Sequence, residues 1–181
     1  MCAKKPTILL IILIIVGLNT SLRSQSIVRS TASAKILSAI AISADSPLNF
    51  GTNLLTNTEG GTVILSSNSN IRDYSGGLAS SLSDQGPTVA VYNVKGTGLE
   101  TYTVVLPSTV MVAHTSISTG IHTMNISLMT ARFNGADTDA TTSTLSADGT
   151  DSFTLGATLT AQKDQVGGKY AGTFQVSVDY N

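Results

Sequence analysis

His114 and His122 are the only imidazoles in this chain of 181 residues, and its one cysteine is Cys2. Catalysis needs titratable groups that converge. His114 closes a short alternating apolar run and His122 follows Gly120 closely, so each reads as a residue at a strand or loop edge. The sequence has no H-E-x-x-H, no G-x-S-x-G and no phosphate-cradling glycine loop. Asn134, Asp137 and Asp139 could offer oxygen ligands to calcium, but a calcium loop adds further acidic ligands at fixed spacing. That stretch therefore reads as a polar loop. Leu106-Pro107-Ser108-Thr109 looks like a sortase signal, yet it lacks the glycine and lies in mid-chain. Asn125-Ile126-Ser127 matches a glycosylation sequon inside an expected strand. Tyr92, Tyr102 and Tyr170 read as sheet and core residues. The expectation is a non-enzymatic protein with no cofactor and no metal.

The elements around these residues are β throughout. The N-terminal stretch comes first, with Lys4 and Lys5 followed by the apolar run Ile8 to Leu18 and then Ser24-Gln25-Ser26. A positive n-region, a short apolar region and small residues before a cut make a secretory signal peptide, here a helix over residues 1–26. Cys2 precedes the apolar run, where a lipoprotein cysteine would follow it. Cleavage removes the only cysteine, so the exported protein has no disulfide. It also removes Lys4, Lys5 and Arg23, leaving seven basic residues against eleven acidic ones, a net charge of −4. A mildly acidic chain with scattered charge is a poor partner for nucleic acid. No later apolar run is long enough to span a membrane.

About 155 residues remain, enough for one domain, 27–181, with its own core. Ala32 to Ala44 alternates and carries β-branched Ile36, Ile40 and Ile42, which predicts a strand. Pro47 to Gly51 is a short extended piece with a turn. Gly61 to Ser67 is the next strand, and Asn68 to Gly86 is a polar excursion with at most a short one. Thr88 to Val94, Glu100 to Leu106, Val110 to His114, Thr123 to Arg132 and Ser152 to Thr160 are strands. Lys95 to Gly98 and Asp148-Gly149 are turns, the second a hairpin signal. Gly156 marks a bulge or a close approach. Short strands with Gly, Asn and Asp turns and no helical crossover argue for an antiparallel sandwich.

The last strand, from about Tyr170, ends the sequence. Phe174, Val176, Val178 and Tyr180 fall on one face, with Gln175, Ser177 and Asp179 on the other. Gly168 turns the chain into it.

Leu48-Asn49-Phe50-Gly51, Gly96-Thr97-Gly98 before Tyr102-Thr103-Val104-Val105-Leu106-Pro107, Leu155-Gly156-Ala157-Thr158-Leu159, and Gly168-Lys169-Tyr170 with the Val176-Ser177-Val178-Asp179-Tyr180-Asn181 ending together resemble the bacterial domain of unknown function 4402. The Asn-Phe-Gly element and the ending are also similar, more distantly, to spore-coat-U and archaic chaperone–usher pilin domains, whose common disulfide is absent here. The resemblance implies an immunoglobulin-like, pilin-like antiparallel β-sandwich that is exported to the periplasm, cell surface or exterior.

Two functions are then open. One is a fimbria-like assembly subunit of the bacterial surface. Its partners would be like subunits and a periplasmic chaperone, engaged by β-augmentation. In pilins an apolar groove left by a missing strand is filled by a neighbour's N-terminal segment. Phe174, Val176, Val178 and Tyr180 would line that groove, and a chaperone would hold the terminal carboxylate of Asn181. The donor would be Ile27 to Ser38, through Val28, Ala32, Ala34 and Ile36. The alternative is a self-complete secreted sandwich that binds a carbohydrate or a surface protein.

Overall fold

The computed structural model describes residues 25–52, 54–80 and 86–181. The expected signal peptide, apart from Gln25 and Ser26, lies outside the described residues. The chain divides into two units, one ending at Lys35 and one covering Ile36–Asn181. In the first, residues 25–35 carry no regular secondary structure, and Ile27 and Val28 are exposed.

The second unit is all-β and antiparallel. Its strands are β1 (Ala41–Ser46), β2 (Leu54–Leu65), β3 (Arg72–Ser80), β4 (Ala90–Lys95), β5 (Thr101–Val105), β6 (Thr109–His114), β7 (Thr123–Phe133), β8 (Thr142–Thr144), β9 (Thr150–Ala161), β10 (Tyr170–Ala171) and β11 (Ser177–Tyr180). Eight strands form one sheet, a curled half-barrel, in which β1, β4, β9, β7, β6 and β10 follow in order and β2 and β3 branch from β9. A small second sheet has the order β11-β5-β8.

β9 organises the large sheet. One edge pairs with β7 along almost its whole length. The other edge is shared, because Thr150–Leu155 pairs with β4 and Ala157–Ala161 pairs with β2. Gly156 occupies the fork. A Cβ there would lie 2.3 Å from the Leu65 carbonyl oxygen and 2.3 Å from the Ser67 nitrogen. Only glycine lets β2 leave the sheet this close to β9. Opposite the fork, β7 bulges, with Leu128 and Met129 facing the single residue Ala157. Such bulges increase local twist, which here adds to the curl.

Alternation on β9 turns Phe153, Leu155, Ala157, Leu159 and Ala161 inward, and all five are buried. Two core clusters follow from the fork. Val63, Leu65, Val110, Ile126 and Leu159 dominate the first, on the β2 side. Val94, Tyr102, Val104, Phe133, Leu145 and Phe153 make the second, between the half-barrel and the small sheet. Burial of each such side chain is worth about 1.5–3 kcal/mol. The Tyr102 hydroxyl donates to Asp151 Oδ2 at 2.9 Å, and Ser143 Oγ donates to the same oxygen at 2.6 Å, so one carboxylate ties the sheets together.

Several expectations need correction. The first strand begins at Ala41, not Ala32. Before it Ile36 is exposed and Ile40 packs on the second cluster without pairing, and side chains satisfy the backbone of Ser38 instead of a ladder. The polar excursion contains the nine-residue strand β3, whose Tyr74 packs on the first cluster. The Asp148-Gly149 turn is tight, with the Gly149 amide on the Ser146 carbonyl at 2.9 Å. It does not close a hairpin ladder, since β8 pairs with β5 and β9 lies in the other sheet. The final strand is two strands. Tyr170–Ala171 pairs with β6 in the large sheet, and Ser177–Tyr180 pairs with β5 in the small one. Alternation requires only an extended backbone, and the chain stays extended while it changes sheets.

Candidate functional site

The crossing from β10 to β11 leaves a gap between sheet edges. β1 is paired with β4 on one side only, and β11 with β5 on one side only. Thr173–Val176 belongs to no ladder. Between these edges lies an open groove of about 470 Å³, walled by Ile42 and Ala44 of β1, Tyr92 of β4, and Phe174–Ser177. Ile42, Ala44, Tyr92, Phe174 and Val176 bring apolar side chains to it, Gln175 and Ser177 polar ones, and no charged side chain lines it.

Each wall is set from below. Ile42 and Ala44 alternate along β1 and stand opposite Val94 and Tyr92. The Tyr92 ring stacks on Phe153 with centroids 5.1 Å apart, which fixes the floor. Burial raises the pKa of the Tyr92 hydroxyl. Phe174 packs on the first core cluster and Val176 on the second, so the crossing segment spans both.

Hydrogen bonds tie the end of β11 to the approach to β1. The Thr97 amide donates to the Tyr180 hydroxyl at 2.6 Å, and that hydroxyl donates to the Ser38 carbonyl at 3.0 Å. The Ser38 amide in turn donates to Thr97 Oγ1 at 2.8 Å. Gly96 makes this possible, because a Cβ at that position would lie 2.2 Å from the Tyr180 hydroxyl.

The structure therefore brings Phe174 and Val176 to the groove, buries Val178 in the second cluster, and ties Tyr180 to Ser38 and Thr97. Asn181 is held beside β5, its amide on the Thr101 carbonyl at 3.1 Å and its Oδ1 accepting from Thr103 Oγ1. Gly168 lies elsewhere, against the ring of His114. Val28, Ala32, Ala34 and Ile36 are exposed and outside any strand. The sequence placed Ile42 and Ala44 in a strand, Tyr92 in a sheet, Ser38 at the end of the donor segment and Thr97 in a turn, but gave none of them a place at this groove or at the tie to Tyr180.

The remaining candidate residues serve the fold. His114 Nδ1 accepts from the amides of Ser116 (3.0 Å) and Ile117 (2.9 Å), so the ring proton is on Nε2, which donates to the Gly167 carbonyl at 3.2 Å. The same ring meets Tyr170 edge-on at 5.2 Å. His122 Nδ1 bonds the Gly120 carbonyl at 2.9 Å. Asp139 accepts from Arg132 Nε at 2.8 Å and from the fully buried Ser67, and Arg132 also reaches the Asp137 carbonyl at 3.0 Å. Burial alone would raise the Asp139 pKa, but hydrogen bonds from Ser67, Arg132 and Thr130 and the Arg132 charge outweigh it and hold the carboxyl below its usual range. Asp139 thus clasps its loop to the β7 edge.

With fold and groove defined, the class follows: the chain belongs to the family described as domain of unknown function 4402 (DUF4402), whose model matches residues 40–180. The match begins one residue before β1 and ends on Tyr180. No curated protein and no solved structure matches the chain.

Proposed function

We propose that this protein is an exported, non-enzymatic subunit of the bacterial cell surface, built on an immunoglobulin-like, pilin-like sandwich and assembled by strand exchange. The groove between β1 and Phe174–Ser177 carries this reading. It offers unpaired backbone on β1 and on the crossing segment above an apolar floor, which is what an added strand needs. Its occupant is the Val28–Ile36 segment of a second copy. That segment alternates, lies outside any strand, and exposes Val28 and Ile36 at 82% and 92%. Its small Ala32 and Ala34 suit a groove already narrowed by Tyr92 and Phe174. A periplasmic chaperone would fill the same groove before assembly.

The test compares residues 27–181 with a chain lacking 27–38, by sedimentation over a wide concentration range. Concentration-dependent polymers of the longer chain, absent from the shorter one and blocked by a 27–38 peptide, are expected. A longer chain that stays strictly monomeric and unfolds cooperatively at high concentration would sink the proposal. That result would favour a self-complete sandwich binding a carbohydrate or a surface protein, a reading supported by the Tyr180 tie to Ser38 and Thr97 within one domain.

A further inference from the structure

Asn134-Gly135, in the turn after β7, is the one Asn-Gly pair of the sequence. At such a pair the glycine nitrogen can attack the asparagine Cγ. The new C–N bond closes a five-membered succinimide, the bond from Cγ to its amide nitrogen breaks, and ammonia leaves with the glycine amide proton. Water then opens the ring to aspartate or isoaspartate. The net change is asparagine plus water to the acid plus ammonia, with no redox step. The reaction needs a mobile asparagine side chain, an uncrowded next residue and a next amide without an acceptor.

The structure assigns Asn134 as a self-modifying site that ages to aspartate and isoaspartate in the folded protein. Asn134 and Gly135 are exposed, and a Cβ at Gly135 would meet nothing within 4 Å. The Asn134 amide donates to the Ser152 carbonyl at 2.9 Å and the Ala136 amide to the Phe133 carbonyl at 3.0 Å. Both neighbours are thereby held, while the Gly135 amide between them has no acceptor among the described residues. The one Asp-Gly pair, Asp148-Gly149, which is prone to the same ring closure, is closed. The Gly149 amide donates to Ser146, and a Cβ there would lie 2.1 Å from the Gly96 carbonyl oxygen.

The consequence is local. Asn134 shares a shallow hollow of about 230 Å³ with Arg132. A carboxylate at 134 competes for the guanidinium that holds Asp139 and the Asp137 carbonyl. Isoaspartate also adds a methylene to the main chain between two ordered hydrogen bonds, so conversion loosens the clasp.

The experiment incubates the folded protein at mildly alkaline pH and maps peptides by mass, with isoaspartyl methyltransferase labelling. A gain of one mass unit at Asn134, well ahead of Asn93 and Asn125, is expected, with no isoaspartate at Asp148. Gly135→Ala should slow conversion about ten-fold, and Asn134→Gln should abolish it while leaving the fold intact. An Asn134 that stays unchanged in the folded protein yet converts after denaturation would overturn the assignment. So would equal conversion at Asn93 and Asn125.

Discussion

Tyr180 and Thr97 are joined by a hydrogen bond of 2.6 Å from the Thr97 amide to the tyrosine hydroxyl, across 83 residues of chain. The same hydroxyl donates to Ser38. One phenol oxygen thus fixes the end of β11, the turn after β4 and the approach to β1. Tyr180→Phe should cost about 1–2 kcal/mol, because two backbone groups lose a partner. Gly96→Ala should cost more in the native background than in Tyr180→Phe, since the hydroxyl is the atom its Cβ would strike. Urea unfolding of the four-member cycle measures both, and simple additivity would contradict the packing.

Gly156→Ala should be among the most damaging single changes. Its Cβ would meet backbone atoms of Leu65, Ser66 and Ser67, which cannot rotate away as a side chain could. A loss of about 3 kcal/mol or failure to fold is expected. Circular dichroism melts against Gly167→Ala, where the added methyl meets open space and the backbone is not left-handed, check it.

Asp139 contributes a pH-dependent part of stability. Its folded pKa lies below the ordinary carboxylate range. The contribution is therefore present above the unfolded pKa and is lost as pH falls through the folded value. Asp139→Asn should flatten the stability profile below about pH 4 and cost no more than about 1 kcal/mol at neutral pH, given its exposure. An unchanged acid limb would remove Asp139 from that role.

Tyr102 acts at the other end of the scale. Burial, then its hydrogen bond to Asp151 and the nearby carboxylate charge, raise its pKa well above that of an ordinary tyrosine. The neutral phenol is favoured in the fold, so its contribution is full below pH 10 and is lost as pH rises above the unfolded value. Ultraviolet titration should show Tyr102 ionising only together with alkaline unfolding. Early ionisation in the native protein would contradict the buried contact.

Tyr74 carries a buried hydroxyl with no hydrogen-bond partner among the described residues. Tyr74→Phe removes an unpaired polar atom and keeps the ring on the first cluster. Stability should be unchanged or raised by about 1 kcal/mol, measured by the urea midpoint. A loss above that would mean the hydroxyl has a partner, such as a bound water.

The sequence by itself determined the all-β class, the family, most strand positions and the inward face of the C-terminal segment. These rest on period-two alternation and on turn residues, both local properties of the backbone. It also marked Gly156 as a close approach. Tertiary structure alone decided which strands pair. The alternation of Phe174, Val176, Val178 and Tyr180 is the same whether they form one strand or cross from one sheet to another, so sequence could not show that Thr173–Val176 leaves the ladder. The same limit hid the fork at β9, the crossing at Asp148-Gly149, and the meeting of Ser38, Thr97 and Tyr180. Partners so far apart in sequence are chosen by global packing, and the groove beside β1 exists only because of those choices.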